Sequence, residues 1–229
     1  VKEMEKLLQA KDEEYVKDLF QKNLVNEVKL TLIVQSQGGD KVNKFNEPYL
    51  PYAEEIIQEI ASLSDKIMVN IYKDSPEKEK EYAIKNVSAL FIEGKNTDKN
   101  IVYYGMPSGH EFSSLLEDII DVSRGLTSLP EVVKDKIRKI SSAVEILVFV
   151  TPTCPYCPKA VRTAHQFALE NKNIKGVMIE ANEYPEWSEK YSVYAVPKII
   201  INEKVQFEGA LPEEEFLNSV YEAIGINLA

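Results

Sequence analysis

The chain has two cysteines, three positions apart in Cys154-Pro155-Tyr156-Cys157. A pair so placed cannot staple distant parts of a fold. It does redox work or supplies half of a metal site. The apolar run Ile146–Val150 leads through Thr151-Pro152-Thr153 into the motif, and a helical pattern, Lys159–Glu170, follows it. Pro155 suits a first helical turn, where its missing N–H would have no partner. The free amides and dipole of a helix start favour negative charge. A thiolate is the form that attacks disulfides, so this placement makes Cys154 the nucleophile. Cys157, one turn on, is placed to attack a mixed disulfide and release the product. Tyr156 is expected to help cover the pair, with Pro152 and Pro158 stiffening the approach.

Two other chemistries stand beside this one. Zinc wants four ligands, and the motif supplies two. The two histidines do not complete a site: His165 is too far along the helix, and His110 is in the other half of the chain. An inert buried pair is the second alternative; the prolines and the strand–turn–helix setting favour redox chemistry over it. No metal is expected, and no cofactor beyond the Cys154–Cys157 disulfide itself.

The elements that must position this motif occur twice. Glu47-Pro48-Tyr49-Leu50-Pro51 matches the motif at its Pro-Tyr and at the trailing Pro158. A β run precedes each copy, Val28–Val34 and Val144–Val150, and helical segments precede those, Glu13–Lys22 and Pro130–Ile140. After each copy come a helix (Tyr52–Leu63, Lys159–Glu170) and an apolar strand (Ile67–Tyr72, Val177–Ile179). Short helices then open at Ser75-Pro76 and Tyr184-Pro185, and further strands begin at Ser88 and Pro197. Each half closes with a Gly, a Pro and an acidic amphipathic helix. The order is α-β-α-β-α-β-β-α in both halves, which implies βαβ units ending in a hairpin. The expected fold is therefore α/β, with two tandem units, 1–124 and 125–229. The boundary falls in the turn-rich stretch Arg124–Pro130.

Composition narrows the partners. The net charge is −10, and no basic stripe interleaves with aromatics, which argues against nucleic acid. No apolar run approaches the ~18 residues of a membrane helix. The charged start Val1–Lys6 holds no export-signal stretch, so the chain reads as cytoplasmic. Abundant Lys and Glu are a feature shared with heat-adapted proteins.

The second half resembles thioredoxin-fold proteins. Cys154-Pro155-Tyr156-Cys157 looks like the glutaredoxin motif, Val196-Pro197 before a strand resembles the cis-proline loop, and Gly209-Ala210-Leu211 matches the end of the last strand. The tandem plan is similar to glutaredoxin-like protein disulfide oxidoreductases of thermophilic archaea and bacteria over nearly the whole length. The likeness is clearest in Gly105–Phe112, Leu116–Arg124, Phe149–Pro158 and Glu183–Trp187. It implies that Pro197 is cis beside the cysteines and that the Val196 backbone pairs with an extended substrate chain. Where such proteins carry a first cysteine pair, this chain has Glu47 and Leu50; Ser88 stands in place of the first cis-proline, and Gln35–Asn46 looks inserted. The resemblance therefore implies a first unit without thiol chemistry, kept as a structural and docking unit. Glu47 is expected to cap a helix start. Glu180 ends the strand expected beside the active-site strand, where it either carries the Cys157 proton or is a solvated charge.

These features imply an enzyme that reduces disulfides of protein substrates through a mixed disulfide. A thioredoxin-reductase-like donor would supply the electrons. The N-terminal domain of the alkyl hydroperoxide reductase flavoprotein has the same silent-then-active order, which makes a peroxiredoxin a partner by analogy. One alternative is a glutathione-dependent glutaredoxin, using Lys159, Arg162 and Lys198 as a basic pocket. The other is a chaperone-like peptide-binding module with incidental cysteines. If the first unit only docks a partner, the second unit cut free near Gly125 should still reduce a generic substrate.

Overall fold

The computed structural model describes residues 6–226. The absence of an export signal in Val1–Glu5 lies outside the described residues. The first repeat runs α1 (Ala10–Asn23), β1 (Val28–Val34), a 3-10 turn (Glu47–Tyr49), α2 (Leu50–Ser62), β2 (Ile67–Lys73), α3 (Pro76–Glu81), β3 (Ala89–Glu93), β4 (Ile101–Tyr104) and α4 (Glu111–Arg124). The second runs α5 (Glu131–Arg138), β5 (Val144–Val150), α6 (Cys157–Glu170), β6 (Ile174–Glu180), α7 (Pro185–Lys190), β7 (Lys198–Ile201), β8 (Val205–Glu208) and α8 (Glu213–Ala223). Both halves are thioredoxin-like units with a leading helix.

The two four-stranded sheets are fused. The order is β2-β1-β3-β4-β6-β5-β7-β8, and β4 pairs with β6 in parallel, from Ile101 opposite Gly176 to Tyr104 opposite Ile179. The pairing explains why the inner strands read as unbroken apolar runs: they are buried on both faces. Alternate residues serve two cores. Leu30, Leu32, Ile92, Tyr103, Ile146, Val148 and Ile199 face the layer of long helices. Ile33, Phe91, Tyr104, Leu147, Phe149 and Ile200 face the other side, with Tyr184 and Trp187.

Strand β6 is longer than the expected Val177–Ile179: it begins at Ile174 and takes in Lys175-Gly176. Gly176 lies within the strand, where α6 comes close: a Cβ there would stand 2.8 Å from the Ala164 carbonyl oxygen.

The β4–β6 joint also brings α4 against α6. Helix α6 is buried nearly all round, including its polar residues Arg162, Thr163, His165 and Gln166. Arg162 is met by three acids of α4. It donates to Asp118 and Asp121, and to Glu117 at 3.1 Å. Asp118 also accepts from the Tyr103 hydroxyl and lies against His165 Nδ1. Burial, with Arg162 beside it, pushes His165 down to about 3, so the ring is neutral. A neutral ring donates from Nδ1, which leaves Nε2 without a partner.

The packing bears on the isolated second unit. Residues 126–229 alone would expose the β6 edge and uncover Arg162 and His165. We expect that fragment to aggregate or remain unfolded by circular dichroism and gel filtration; a soluble fragment with a cooperative melt would show that the joint is dispensable. In the full chain, Arg162→Leu strands Asp118 in the interior and should cost about 3 kcal/mol in chemical denaturation.

Candidate active site

Strand β5 ends at Val150, and the turn Thr151–Tyr156 carries the chain to α6, whose first residue is Cys157. Pro155 therefore sits in the turn rather than in the helix, and Pro158 occupies the first helical turn. Cys154 and Cys157 form a disulfide. Cys154 keeps 8% of its surface and Cys157 none, the order required of an attacking and a resolving thiol. The Cys157 amide, at the mouth of α6, points at Cys154 Sγ from 3.1 Å. No side-chain cap competes for that helix start. A free backbone donor on the dipole axis thus faces the sulfur that would carry the charge.

The Val196–Pro197 peptide bond is cis, and the Val196 carbonyl oxygen lies 3.7 Å from Cys154 Sγ. Tyr156 does not cover the pair. It precedes α6 and stands out into solvent, 71% exposed.

The equivalent loop of the first unit keeps its shape but not its opening. Val87–Ser88 is also cis. Yet the Val87 carbonyl already accepts from Asn46 Nδ2 at 2.9 Å and from the Tyr184 hydroxyl at 2.8 Å. Asn46 ends the extra segment 35–46 and is fully buried. The same segment ties to the second unit through Asn43 Nδ2, which donates to the Glu183 carbonyl at 3.1 Å. Glu47 lies in the first turn of its 3-10 helix, where no side-chain capping bond forms; the oxygen of the preceding Asn46 instead accepts from the Asn43 amide at 2.8 Å.

Three glutamates lie buried around the joint. Glu180 closes β6, opposite Val150 on β5. Its carboxylate is held within its own turn, accepting from the Glu183 amide and from Asn182 Nδ2, both at 2.8 Å. Burial raises its pKa against those bonds. Glu183 accepts from the Met106 amide at 2.7 Å, and burial, with Glu180 adding to it, pushes it up to about 8. Glu111 is the residue that sequence reasoning passed over. It begins α4, is 1% exposed, and neither carboxylate oxygen has a hydrogen-bond partner. Burial pushes it up to about 7. The preceding residue, His110, donates its amide to the Pro152 carbonyl at 3.0 Å, so the start of α4 abuts the turn that carries Cys154. In sequence Glu111 reads as an ordinary first-turn acid; its burial shows only in the fold.

The basic residues do not gather. Arg162 is committed to α4, Lys198 reaches Glu208 at 3.7 Å, and Lys159 is exposed. Among the described residues no group of three His, Cys, Asp or Glu is arranged to hold a metal, and no helix is long and apolar enough to cross a membrane.

Comparison with known proteins agrees with this geometry. Residues 144–222 match the thioredoxin domain family. A protein disulfide oxidoreductase from Aeropyrum pernix K1 superposes with a TM-score of 0.84 at 25% identity, covering 96% of each chain. An alkyl hydroperoxide reductase component from Enterococcus faecalis shares the fold, with a TM-score of 0.80 at 23% identity over 93% of this chain and 99% of that one. By sequence the chain is 28% identical to an NADH dehydrogenase of Bacillus subtilis over 71% of its length. It is 24% identical to the corresponding component of alkyl hydroperoxide reductase from Staphylococcus aureus over 82%. The chain spans about a third of the length of these two relatives, 30% and 33%.

The two sulfurs should be chemically distinct. With the disulfide reduced, iodoacetamide near neutral pH should label Cys154 at least about tenfold faster than Cys157, read by peptide mass spectrometry. Equal rates, or a preference for Cys157, would reverse their roles.

Proposed function

We propose that the chain, a thioredoxin-fold thiol–disulfide oxidoreductase with one redox pair, reduces disulfides of protein partners by way of a mixed disulfide on Cys154. The observation that carries this reading is the position of Cys154 Sγ, with the Cys157 amide on one side and the Val196 carbonyl on the other. The amide stabilises the thiolate. The carbonyl offers an extended partner chain a backbone acceptor beside the sulfur.

The cycle starts from the dithiol. The Cys154 thiolate attacks one sulfur of the partner disulfide. A new S–S bond forms as the partner's bond breaks, and the other partner sulfur leaves as a thiolate. The Cys157 thiol then gives up its proton and attacks Cys154 Sγ. The mixed disulfide breaks, the partner leaves as a dithiol, and Cys154–Cys157 is oxidised by two electrons. We assign the Cys157 proton to Glu111 rather than Glu180. Glu111 begins the helix beside the active-site turn with both oxygens free, and about 7 suits proton exchange near neutral pH. Glu180 has both oxygens engaged in its own turn.

The units 1–124 and 125–229 then divide the work. The second carries the thiols. The first sets Gly109 and His110 against Pro152 of the active-site turn, and it cannot accept a partner strand at its own cis loop, whose carbonyl is occupied. A partner bound at Cys154 also meets the exposed Gly109 and His110. A thioredoxin-reductase-like donor would return electrons, and a peroxiredoxin is a fitting acceptor, both in a reducing, cytoplasmic setting. The full-length likeness to the Aeropyrum enzyme supports placing the chain with the protein disulfide oxidoreductases of thermophiles. A glutathione-specific pocket is not supported, since Arg162 and Lys198 are engaged elsewhere.

Insulin reduction with dithiothreitol as donor tests the reading. Cys154→Ser should abolish turnover, whereas a binding module would keep its affinity. Cys157→Ser should trap a mixed disulfide visible on a non-reducing gel. Activity should rise with pH through about 7 as Glu111 loses its proton. Glu111→Gln should remove that rise and slow turnover on the order of tenfold to a hundredfold. An unchanged profile would return the proton to another carrier.

A further inference from the structure

Among the described residues, the two most exposed large apolar or aromatic side chains are Tyr194, at 91%, and Tyr156, at 71%. Both flank Cys154. Tyr156 is two residues after it in the motif. Tyr194 is two residues before Val196, whose carbonyl lies 3.7 Å from the sulfur. Two residues of chain span at most about 7 Å, so the Tyr194 backbone stays close to the point of attack.

The exposure of Tyr194 is not a loose loop. On one side Val193 packs into the core around Phe149 and Ile200, and its amide donates to the Ser188 carbonyl at 2.8 Å. On the other side Val196 packs against both cores, and Pro197 is buried. A segment fixed at both ends holds one large aromatic ring out in water. That arrangement keeps apolar surface hydrated and gains nothing from burial within the fold.

The internal repeat supplies an independent control. With Val196-Pro197 aligned to Val87-Ser88, the place of Tyr194 is taken by Lys85 in the silent unit. Lys85 uses its ammonium on Glu145, at 2.7 Å. The outward aromatic therefore accompanies the thiols, while the loop without thiols has a residue occupied by an internal ion pair.

We propose that Tyr194 is a specificity-determining docking residue for protein substrates, gripping the extended segment that carries the partner's cysteine. An extended chain paired to Val196 sends alternate side chains to one side of the strand. The side chain flanking the partner's cysteine then rests on the Tyr194 ring, and an apolar flank fits best. Tyrosine suits this role because it brings a large rigid contact at low entropic cost. The proposal rests on the disulfide-reductase reading above and adds what decides among partners.

The test uses the full chain with two substrates, insulin and the small disulfide 5,5′-dithiobis(2-nitrobenzoate). Tyr194→Ala should raise KM for insulin, lowering kcat/KM about fivefold or more, with kcat and the small-disulfide rate unchanged. Tyr194→Phe should restore the insulin KM. Wild-type insulin kinetics in Tyr194→Ala would overturn the docking role while leaving the reductase reading intact. A parallel fall in the small-disulfide rate would overturn it too, since the residue would then support the site itself. If the wild-type chain leaves insulin oxidised, the reductase reading fails, and the docking role with it.

Discussion

The parallel pairing of β4 with β6 is the contact from which the rest of the molecule follows. Four residues of one repeat lie along β6 and turn two small sheets into one. Once β4 is there, α4 has no place except beside α6. That neighbour accounts for the polar residues buried on α6, because Arg162 and His165 find their partners on α4. The turn after β4 is shaped by the same contact. Gly105 takes φ +86, and a Cβ there would stand 2.9 Å from both the Glu180 Cβ and Glu183 Oε1. Only a residue without a side chain lets that turn reach the second unit.

The repeats show how a loop beside a cysteine pair differs from one without it on the same backbone. Both loops bend through a cis bond at the same place. The carbonyl before that bond is the difference. Val87 holds Asn46 and Tyr184, one from the extra segment and one from the other repeat. Val196 has Cys154 Sγ beside it. The first unit has no cysteine pair, and its loop carbonyl has no room for a further donor. A buried, satisfied polar group is also less costly than an open one, so closure contributes to the stability of the unit without cysteines.

Electrostatics at the joint favours acids in their neutral form. The chain is acidic overall, and Glu111, Glu180 and Glu183 are all raised, chiefly by burial. The one buried cation facing this region from α6, Arg162, is spent on Glu117, Asp118 and Asp121. Glu111 consequently has no counter-charge bound to it, and a carboxyl left in that condition can take up and return a proton near neutral pH.

The sequence by itself determined the elements and the chemistry. The Cys154–Cys157 spacing, the preceding apolar strand and the following helix are local features, and local features decide which sulfur meets a helix start. The strands β1 and β5 run over the residues their β-branched and apolar pattern marks out. The tandem α/β order was legible for the same reason, since period and turn residues repeat in both halves. What lay beyond reach depended on contacts between residues far apart in the chain. Gly176 lies outside the strand that the apolar pattern marks, because nothing local says that α6 presses on it. Tyr156 reads as a cover because its direction depends on where the helix begins. Glu111 and Asn46 look like surface polar residues, and both are buried, Asn46 with its side chain on the Val87 carbonyl. Which carboxyl holds a proton and which carbonyl stays open are set by desolvation and by hydrogen-bond partners. Both arise only when β4 lies against β6 and the two repeats close on each other.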